Sequence, residues 1–268
     1  MTDTSKTGAV VLVGCGRLGS AIVEGWLATG AVDPRELIIL TPSPKPVAEA
    51  ARARGARVNP PLEALHDPAA VVLAVKPAAW RGAVEPLAEA IGRPKAVVSV
   101  MAGTPAAAIG AVLKSPVARV MPTTGVAQAR GVAALWAADS GARETARGLF
   151  APIADVVDLD AEEQLDAATA TAGSAPAFIY AFVQAVARAG EAQGLPAEAA
   201  ERLARGALGS AGAGLETGEG LEALIGRIAS PGGTTRAGLD AMTASGDLER
   251  AAEAAVKAAV ARAAQLRG

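Results

Sequence analysis

The pattern of hydrophobic positions divides the chain into two parts. The first part contains short continuous apolar runs, which are typical of buried parallel strands. Helix-forming stretches separate several of these runs, beginning with residues 19–29, where apolar side chains recur at helical spacing. This alternation predicts an α/β, doubly wound parallel sheet with right-handed crossovers. The predicted strands are 9–13, 37–40, 70–75, 96–100, 117–121 and 133–136.

The second part begins where this pattern changes, at residues 156–158. Beyond that point no segment has a convincing strand pattern, and Ala-rich segments carry apolar residues three or four positions apart, as at Phe178 and Phe182. Such a stripe is typical of a core or of a subunit interface. The chain is therefore predicted to form a sheet domain over residues 1–157 and an all-α domain over residues 158–268.

Composition and charge exclude several classes of function. Hydrophobic residues make up 51% of the chain and charged residues 19%, which is a globular composition. The formal net charge is −2 and no basic stripe alternates with aromatic residues, so we expect neither a nucleic-acid partner nor an anionic membrane surface. With a single cysteine, Cys15, and a single histidine, His66, we expect no intrachain disulfide and no metal site. Cys15 is interpreted as a small turn residue with no redox role.

The location of the protein follows from two further features. No apolar run approaches the roughly 20 residues that a membrane helix needs. The polar start, MTDTSKTG, lacks the apolar centre of a secretory signal. We therefore expect a cytoplasmic protein that does not associate with membranes.

A glycine-rich turn follows the first predicted strand and opens the first predicted helix. The sequence GCGRLG, which begins at Gly14, fits G-x-G-x-x-G in the context that a dinucleotide-binding fold requires. Gly14 permits the tight turn, Gly16 lets the backbone approach the pyrophosphate, and Gly19 lets helix and strand pack closely. The helix start supplies amides and partial positive charge, so Arg17 and Leu18 are further predicted contacts. Residues 1–157 are thus predicted to bind a dinucleotide that donates hydride; a purely structural turn is the alternative.

The end of the second predicted strand indicates which dinucleotide binds. NAD-preferring folds carry Asp or Glu there, roughly 20 residues past the glycines, to hold the ribose hydroxyls. This chain has no acid in that segment, whereas Thr41, Ser43 and Lys45 can accept a 2′-phosphate that an acid would repel. We therefore predict NADPH, with Thr41 and Ser43 as contacts and Lys45 as a weaker candidate. NADH stays an alternative.

The helical part offers no well-placed acid for a reaction that ends on an alkoxide. Ketone reduction needs a proton donor, but His66 is interpreted as a loop or surface residue and Lys257 as part of a solvated helix face. A protonated imine needs such an acid less, because it already carries the positive charge that attracts hydride. The sequence therefore favours an imine substrate over the ketone of a hydroxyacid dehydrogenase.

The segment SPGGTT contains groups that an imino acid would require. The glycines Gly232 and Gly233 expose backbone amides, and Ser230, Thr234 and Thr235 supply hydroxyls. A helix that starts nearby would direct its positive end at a carboxylate. This segment is the candidate substrate site, and an ordinary loop with a helix N-cap is the alternative.

Taken in order along nearly the whole chain, the motifs resemble those of the pyrroline-5-carboxylate reductase family. The glycine turn is one of them, and the others are spread over both parts of the chain. They are AVKP (74–77), SVMAG (99–103), RVMP (119–122), GSAPA (173–177), GLP (194–196) and SPGGTTRAG (230–238). Together and in this order they make a specific match.

The resemblance implies a Rossmann domain joined to a helical domain that interlocks with a second subunit. A homodimer through the helical domain is therefore expected, and larger rings of dimers are common in the family. The family uses NAD(P)H to deliver hydride to the imine carbon of pyrroline-5-carboxylate, which gives proline. By resemblance, the loop from Gly232 to Thr235 binds the carboxylate, and Ser230 and Thr235 are the expected catalytic residues, with Thr235 on the ring nitrogen. The expected cofactor contacts beyond the glycine turn are Ala74, Lys76, Pro77, Met101, Ala102 and Gly103; for Lys76 a surface loop charge is the alternative.

Three departures from the family pattern leave the substrate open. Thr123-Thr124-Gly125 replaces an Asn-Thr-Pro segment, Ala175 replaces a glycine, and Phe178 replaces a tyrosine. The alternatives are a reductase of another cyclic imino acid, such as the six-membered-ring analogue, and a non-catalytic paralogue that binds NADP.

Overall fold

The computed structural model describes residues 8–265, and one eight-stranded sheet organises its N-terminal part. The strands are β1 (Val10–Val13), β2 (Leu37–Leu40), β3 (Arg57–Val58), β4 (Ala70–Leu73), β5 (Ala96–Ser99), β6 (Val117–Pro122), β7 (Gly131–Ala137) and β8 (Ala154–Asp158). Their order in the sheet is β3-β2-β1-β4-β5-β6-β7-β8. From β1 the chain passes through β2 to β3 at one edge of the sheet. It then crosses back to β4, which lies on the other side of β1. The predicted Rossmann-type class is confirmed.

The sheet differs from the prediction at three strands. The six predicted strands are present, but β3 and β8 were not predicted, because β3 has two residues and β8 buries only one of its five side chains. β7 pairs antiparallel with β6. The segment 123–130 between them is too short for the crossover of a dozen or more residues that a parallel connection needs. The expectation of a wholly parallel sheet is therefore wrong at this pair.

The helices of the sheet unit cover both faces of the sheet. They are α1 (Arg17–Thr29), α2 (Pro46–Ala53), α3 (Trp80–Val84), α4 (Ala88–Ile91), α5 (Ala106–Leu113), α6 (Ser140–Phe150) and α7 (Gln164–Ala168). Short 3₁₀ turns lie at Pro34–Glu36, Leu62–Leu65, Pro77–Ala79, Glu85–Leu87 and Thr124–Gln128. Alternate strand residues point to opposite faces. Val10 and Leu12 therefore join a first core under α1, α2 and α6, whereas Val11 and Val13 join a second core under α3, α4 and α5.

Tryptophan side chains lie only in the sheet unit. Trp26 on α1 is fully buried, and its indole N–H donates to the carbonyl of Leu149 over 2.8 Å. Trp80 is buried beneath the guanidinium of Arg81, which lies 4.7 Å from the ring centre. Trp136 is on β7. The first core is thus closed by a hydrogen bond between residues 123 positions apart.

The described chain forms two compact units that divide at Gly173 and Ser174. The helical unit covers Ser174–Ala258, and residues 259–265 group with the sheet unit. The predicted division after residue 157 lies one residue before the end of β8. Helix α7 still packs on the sheet, because Leu165 contacts Met121 and Ala134. As a domain boundary, 157/158 stays a prediction.

The helical unit begins at the last residue of a π-helical turn, Thr169–Ser174. Its helices are α8 (Ala175–Ala192), α9 (Ala197–Leu215), α10 (Leu221–Ile228), α11 (Thr234–Thr243) and α12 (Asp247–Gln265), of which α12 runs on into the other unit. The buried hydrophobic side chains recorded for this unit are all alanines. Large apolar side chains on α8 are exposed instead, and they are Phe178, Ile179, Tyr180, Phe182 and Val186.

One helical stretch has the length and apolarity of a membrane-crossing helix. It is Gln164–Ala192, where the sequence predicted no membrane helix. Length and composition alone are weak evidence for a membrane span, since a core helix of a soluble protein can have the same length and apolarity.

Candidate active site

The glycine turn sits at the carboxyl end of β1, between the ends of β2 and β4. Gly14 has φ +98°, and a Cβ there would lie 2.7 Å from the carbonyl oxygen of Ala74. A Cβ on Gly19 would lie 2.3 Å from the carbonyl oxygen of Gly14. At Gly16, by contrast, an added Cβ meets nothing within 4 Å. Two of the glycines are thus required by the protein itself, and the third leaves open space above the turn.

Three backbone amides of the turn have no hydrogen-bond partner among the described residues. Within residues 8–265 no hydrogen bond is recorded from the amides of Gly16, Arg17 and Leu18, and α1 has no side-chain cap. Free amides at the positive end of a helix favour an anion. The open space and these amides fit a pyrophosphate, so the residues present suit the predicted dinucleotide.

A cleft of about 620 Å³ extends from the turn along the ends of β2 and β4. It brings together seven of the predicted cofactor contacts or candidates, which are Gly14, Gly16, Thr41, Ser43, Lys45, Ala74 and Lys76. The other predicted contacts are outside its lining, and they are Arg17, Leu18, Gly19, Pro77, Met101, Ala102 and Gly103. The binding role of each of these residues stays a prediction.

Asn59 holds the end of β2 and was missed by the sequence analysis. Its Oδ1 accepts from the amide of Thr41 and its Nδ2 donates to the carbonyl of Thr41, both over 2.9 Å. The hydroxyl of Thr41, itself buried, donates to the carbonyl of Ser43 over 3.0 Å. Thr41 therefore shapes the turn, while Ser43 is exposed. The available signal was the Asn59-Pro60 pair, since Asn tolerates the left-handed conformation that Asn59 adopts.

Cys15 lies inside the turn and is buried. Burial raises the pKa of its thiol above the ordinary value, although a hydrogen bond with Ser20 acts in the opposite direction. The thiol is therefore protonated at neutral pH, and a protonated thiol is a poor nucleophile. This agrees with the interpretation of Cys15 as a small turn residue.

The loops after β4 and β5 carry the residues expected beside the nicotinamide. Lys76 precedes the 3₁₀ turn Pro77–Ala79, and Met101 is buried in the second core. Gly103 has φ +68°, and among residues 8–265 no hydrogen bond is recorded from the amides of Ala102 and Gly103. This loop offers two unpaired donors at the same edge of the sheet as the glycine turn.

The SPGGTT segment forms a tight turn that starts α11 in the helical unit. The amide of Gly233 donates to the carbonyl of Ser230 over 3.0 Å, and Gly232 has φ +72°. Helix α11 begins at Thr234 without a side-chain cap, and for the part of the chain described no partner is recorded for the amides of Thr234 and Thr235. The five predicted substrate residues thus lie together in one turn and at the start of one helix. The unpaired amides at this helix start suit a carboxylate.

The departures from the expected motifs have local explanations. Thr123 extends the pairing of β6 and β7, because its amide donates to the carbonyl of Val132 and its hydroxyl accepts from the Val132 amide. A Cβ on Gly125 would lie 2.8 Å from the carbonyl oxygen of Arg130, so this turn requires glycine. Ala175 is the first residue of α8, and Phe178 belongs to its exposed apolar face.

Two family models match the chain. The model described as pyrroline-5-carboxylate reductase dimerisation matches residues 162–266, and the model described as NADP oxidoreductase coenzyme F420-dependent matches residues 9–103. For the part of the chain that the structure describes, no group of three or more metal-ligating side chains is found.

Similar proteins cover nearly the whole chain. A pyrroline-5-carboxylate reductase of Pseudomonas aeruginosa is 34% identical over 97% of each chain. The structure of a pyrroline-5-carboxylate reductase from Coxiella burnetii has TM-score 0.87 and 29% identity, covering 98% of this chain and all of that one. The Plasmodium falciparum pyrroline carboxylate reductase with NADP bound, at 22% identity and TM-score 0.76 over 97% and 98%, shows the same fold.

Proposed function

Because the chain belongs to the pyrroline-5-carboxylate reductase family, we propose that it reduces 1-pyrroline-5-carboxylate to L-proline with NADPH. The observation that carries the proposal is 34% identity over 97% of both chains, which includes the dinucleotide half and the helical half alike. The cleft at the glycine turn and the SPGGTT turn supply two separate sets of unpaired amides, one for each ligand.

The cofactor half of the proposal rests on the sheet unit. The amides of Gly16, Arg17 and Leu18 hold the pyrophosphate at the positive end of α1. Exposed Ser43 and half-buried Lys45 receive the 2′-phosphate, and no acid in this turn repels it. Bound NADPH supplies the hydride that ends on the imine carbon.

The substrate half rests on the SPGGTT turn. The amides at the start of α11 bind the carboxylate, and the hydroxyl of Thr235 contacts the ring nitrogen. The substrate arrives as a protonated imine, so the chain needs to hold the nitrogen and not to deliver a proton to oxygen. Ser230 supports the turn from its other end.

The proposal also covers assembly and location. The dimerisation model over residues 162–266 supports a homo-oligomer through the helical domain. The exposed apolar side chains of α8 are then covered by a second copy of the chain. We further propose that the dimers assemble into a ring and that the protein is cytoplasmic.

NADPH consumption with 1-pyrroline-5-carboxylate tests the reaction. We expect turnover, proline as the product, and a lower Michaelis constant for NADPH than for NADH. Faster turnover of the six-membered-ring imino acid would reassign the substrate. NADPH binding without turnover of any cyclic imine would instead support the non-catalytic paralogue, and a clear NADH preference would contradict the cofactor assignment.

Replacement of Thr235 tests the site. In Thr235→Ala we expect kcat to fall by roughly one to two orders of magnitude, because one transition-state hydrogen bond is lost. The matched control is Thr243→Ala in the last turn of the same helix, where the hydroxyl donates to the carbonyl of Leu239. Equal kinetics in the two variants would count against the role of Thr235.

A further inference from the structure

Arg119 places a buried cation beneath the loop that follows β5. The residue lies on β6 and pairs with Ser99 of β5 and Trp136 of β7. Its side chain is buried, and its Nη2 donates to the carbonyl of Met101 over 3.2 Å. Its Nη1 donates to Oε1 of Glu162 over 2.9 Å. The guanidinium therefore bridges the backbone carbonyl of Met101 and the carboxylate of Glu162, which are 61 positions apart in the chain.

Glu162 links this cation to a helix. The same Oε1 that accepts from Arg119 also accepts from the amide of Ala106, the first residue of α5, over 2.8 Å. The N-cap of α5 is Pro105, which provides no side-chain cap. Glu162 thus caps α5 from a distant part of the chain and fixes the guanidinium in place.

These contacts hold the loop between β5 and α5 at both ends. On one side Ser99 Oγ accepts from the amide of Met101 over 3.3 Å, and Arg119 binds the carbonyl of the same residue. On the other side α5 is capped by Glu162. Between them lie Ala102 and Gly103, whose amides have no recorded partner within the described residues 8–265.

We propose that Arg119 is a positioning residue for the nicotinamide half of the cofactor, acting through the Met101 carbonyl and held by Glu162. The proposal rests on the NADPH-dependent function above. Arg119 acts without touching the cofactor itself. Its planar fork presents Nη1 and Nη2 to two acceptors at once, which a lysine ammonium on a flexible stem does not reproduce.

The test compares binding of the whole cofactor with binding of its adenosine half. NADPH and 2′,5′-ADP are titrated against the full-length wild type, Arg119→Met and Arg119→Lys, and kcat and melting temperature are recorded for each protein. The matched control is Arg143→Met. Arg143 also bridges a carboxylate, Asp158, and a backbone carbonyl, Ala137, at the opposite edge of the sheet.

We expect both Arg119 variants to weaken NADPH by about tenfold and to lower kcat by about 10- to 100-fold, because misplacement by about 1 Å has effects of that size. The affinity for 2′,5′-ADP should stay at the wild-type value. Arg119→Lys should recover melting temperature, since it retains a cation beside Glu162, without recovering kcat. If Arg119→Met does not fold, the lysine variant decides.

Two results would overturn the proposal. One is an equal loss of NADPH and 2′,5′-ADP affinity, which would indicate damage to the whole unit. The other is a lower melting temperature with unchanged kcat and NADPH affinity, as expected for Arg143→Met. A wild-type protein that binds NADPH without turnover would refute only the proposed reaction. The titrations with NADPH and 2′,5′-ADP would still decide the role of Arg119.

Discussion

The three glycines of the cofactor turn differ in what surrounds them. Gly14 and Gly19 lie against backbone atoms, whereas Gly16 borders open space and has an ordinary extended backbone conformation. A methyl group at position 19 would collide with protein, and a methyl group at position 16 would collide only with a ligand. Under the proposed function, the same motif therefore combines a folding requirement with a binding requirement.

We expect Gly19→Ala and Gly16→Ala to separate these requirements. Gly19→Ala should lower stability by about 1–3 kcal/mol, because overpacking forces the backbone to shift. Gly16→Ala should keep the wild-type melting temperature but weaken NADPH by about tenfold or more, since loss of one close phosphate contact costs about 1.4 kcal/mol or more. Thermal unfolding and fluorescence titration measure the two effects.

Gly30→Ala is a suitable control for the backbone effect alone. Gly30 ends α1 with φ +72°, and a Cβ there meets nothing within 4 Å. It should lower stability modestly and leave NADPH affinity unchanged. A Gly16→Ala protein with wild-type affinity for NADPH would refute the proposed path of the pyrophosphate.

Individual residues also mark the limit of inference from sequence. The glycine turn was predictable because its whole sequence signature lies within six consecutive positions. Asn59 and Arg119 were not, since their partners lie 18 and 43 positions away and only the fold brings them together. The role of Thr41 in shaping its own turn depends on the same long-range contact.

At the scale of elements, continuous apolar runs identified the central strands because these strands are buried on both faces. Edge strands escape that signal, as β3 and β8 do, since they have few buried positions. Strand direction is also absent from hydrophobicity. For β7 it was available only from the length of the connection, 123–130, which is too short for a crossover.

The helical elements show a different limit. Their apolar stripe was predicted to be core or subunit interface, and the sequence alone does not separate the two. The structure gives α8 few buried positions, with Phe178, Phe182 and Val186 exposed along one side at a spacing of four. Such a face, in a protein whose family model is a dimerisation domain, indicates an interface.

At the scale of the whole molecule, we expect Phe182→Glu to separate the subunits. A charge buried in an apolar interface is strongly unfavourable, so the dimer dissociation constant should rise by about 100-fold or more. Analytical ultracentrifugation over a range of concentrations measures it. Val157→Glu, at a similarly exposed apolar position on β8, is the control and should leave the mass unchanged. An unaltered mass for Phe182→Glu would refute this face as the interface.

The distribution of aromatic residues gives each unit its own optical reporter. The three tryptophans all lie in the sheet unit, and the single tyrosine, Tyr180, lies on α8 with 65% of its surface exposed. Light at the red edge of the absorption band excites indole and not phenol, so the emission it produces follows the sheet unit alone. The near-ultraviolet absorbance of Tyr180 changes when the polarity around α8 changes. Subunit separation should therefore shift the phenol band while the indole emission stays constant. Both signals can be followed in one cuvette without an added dye.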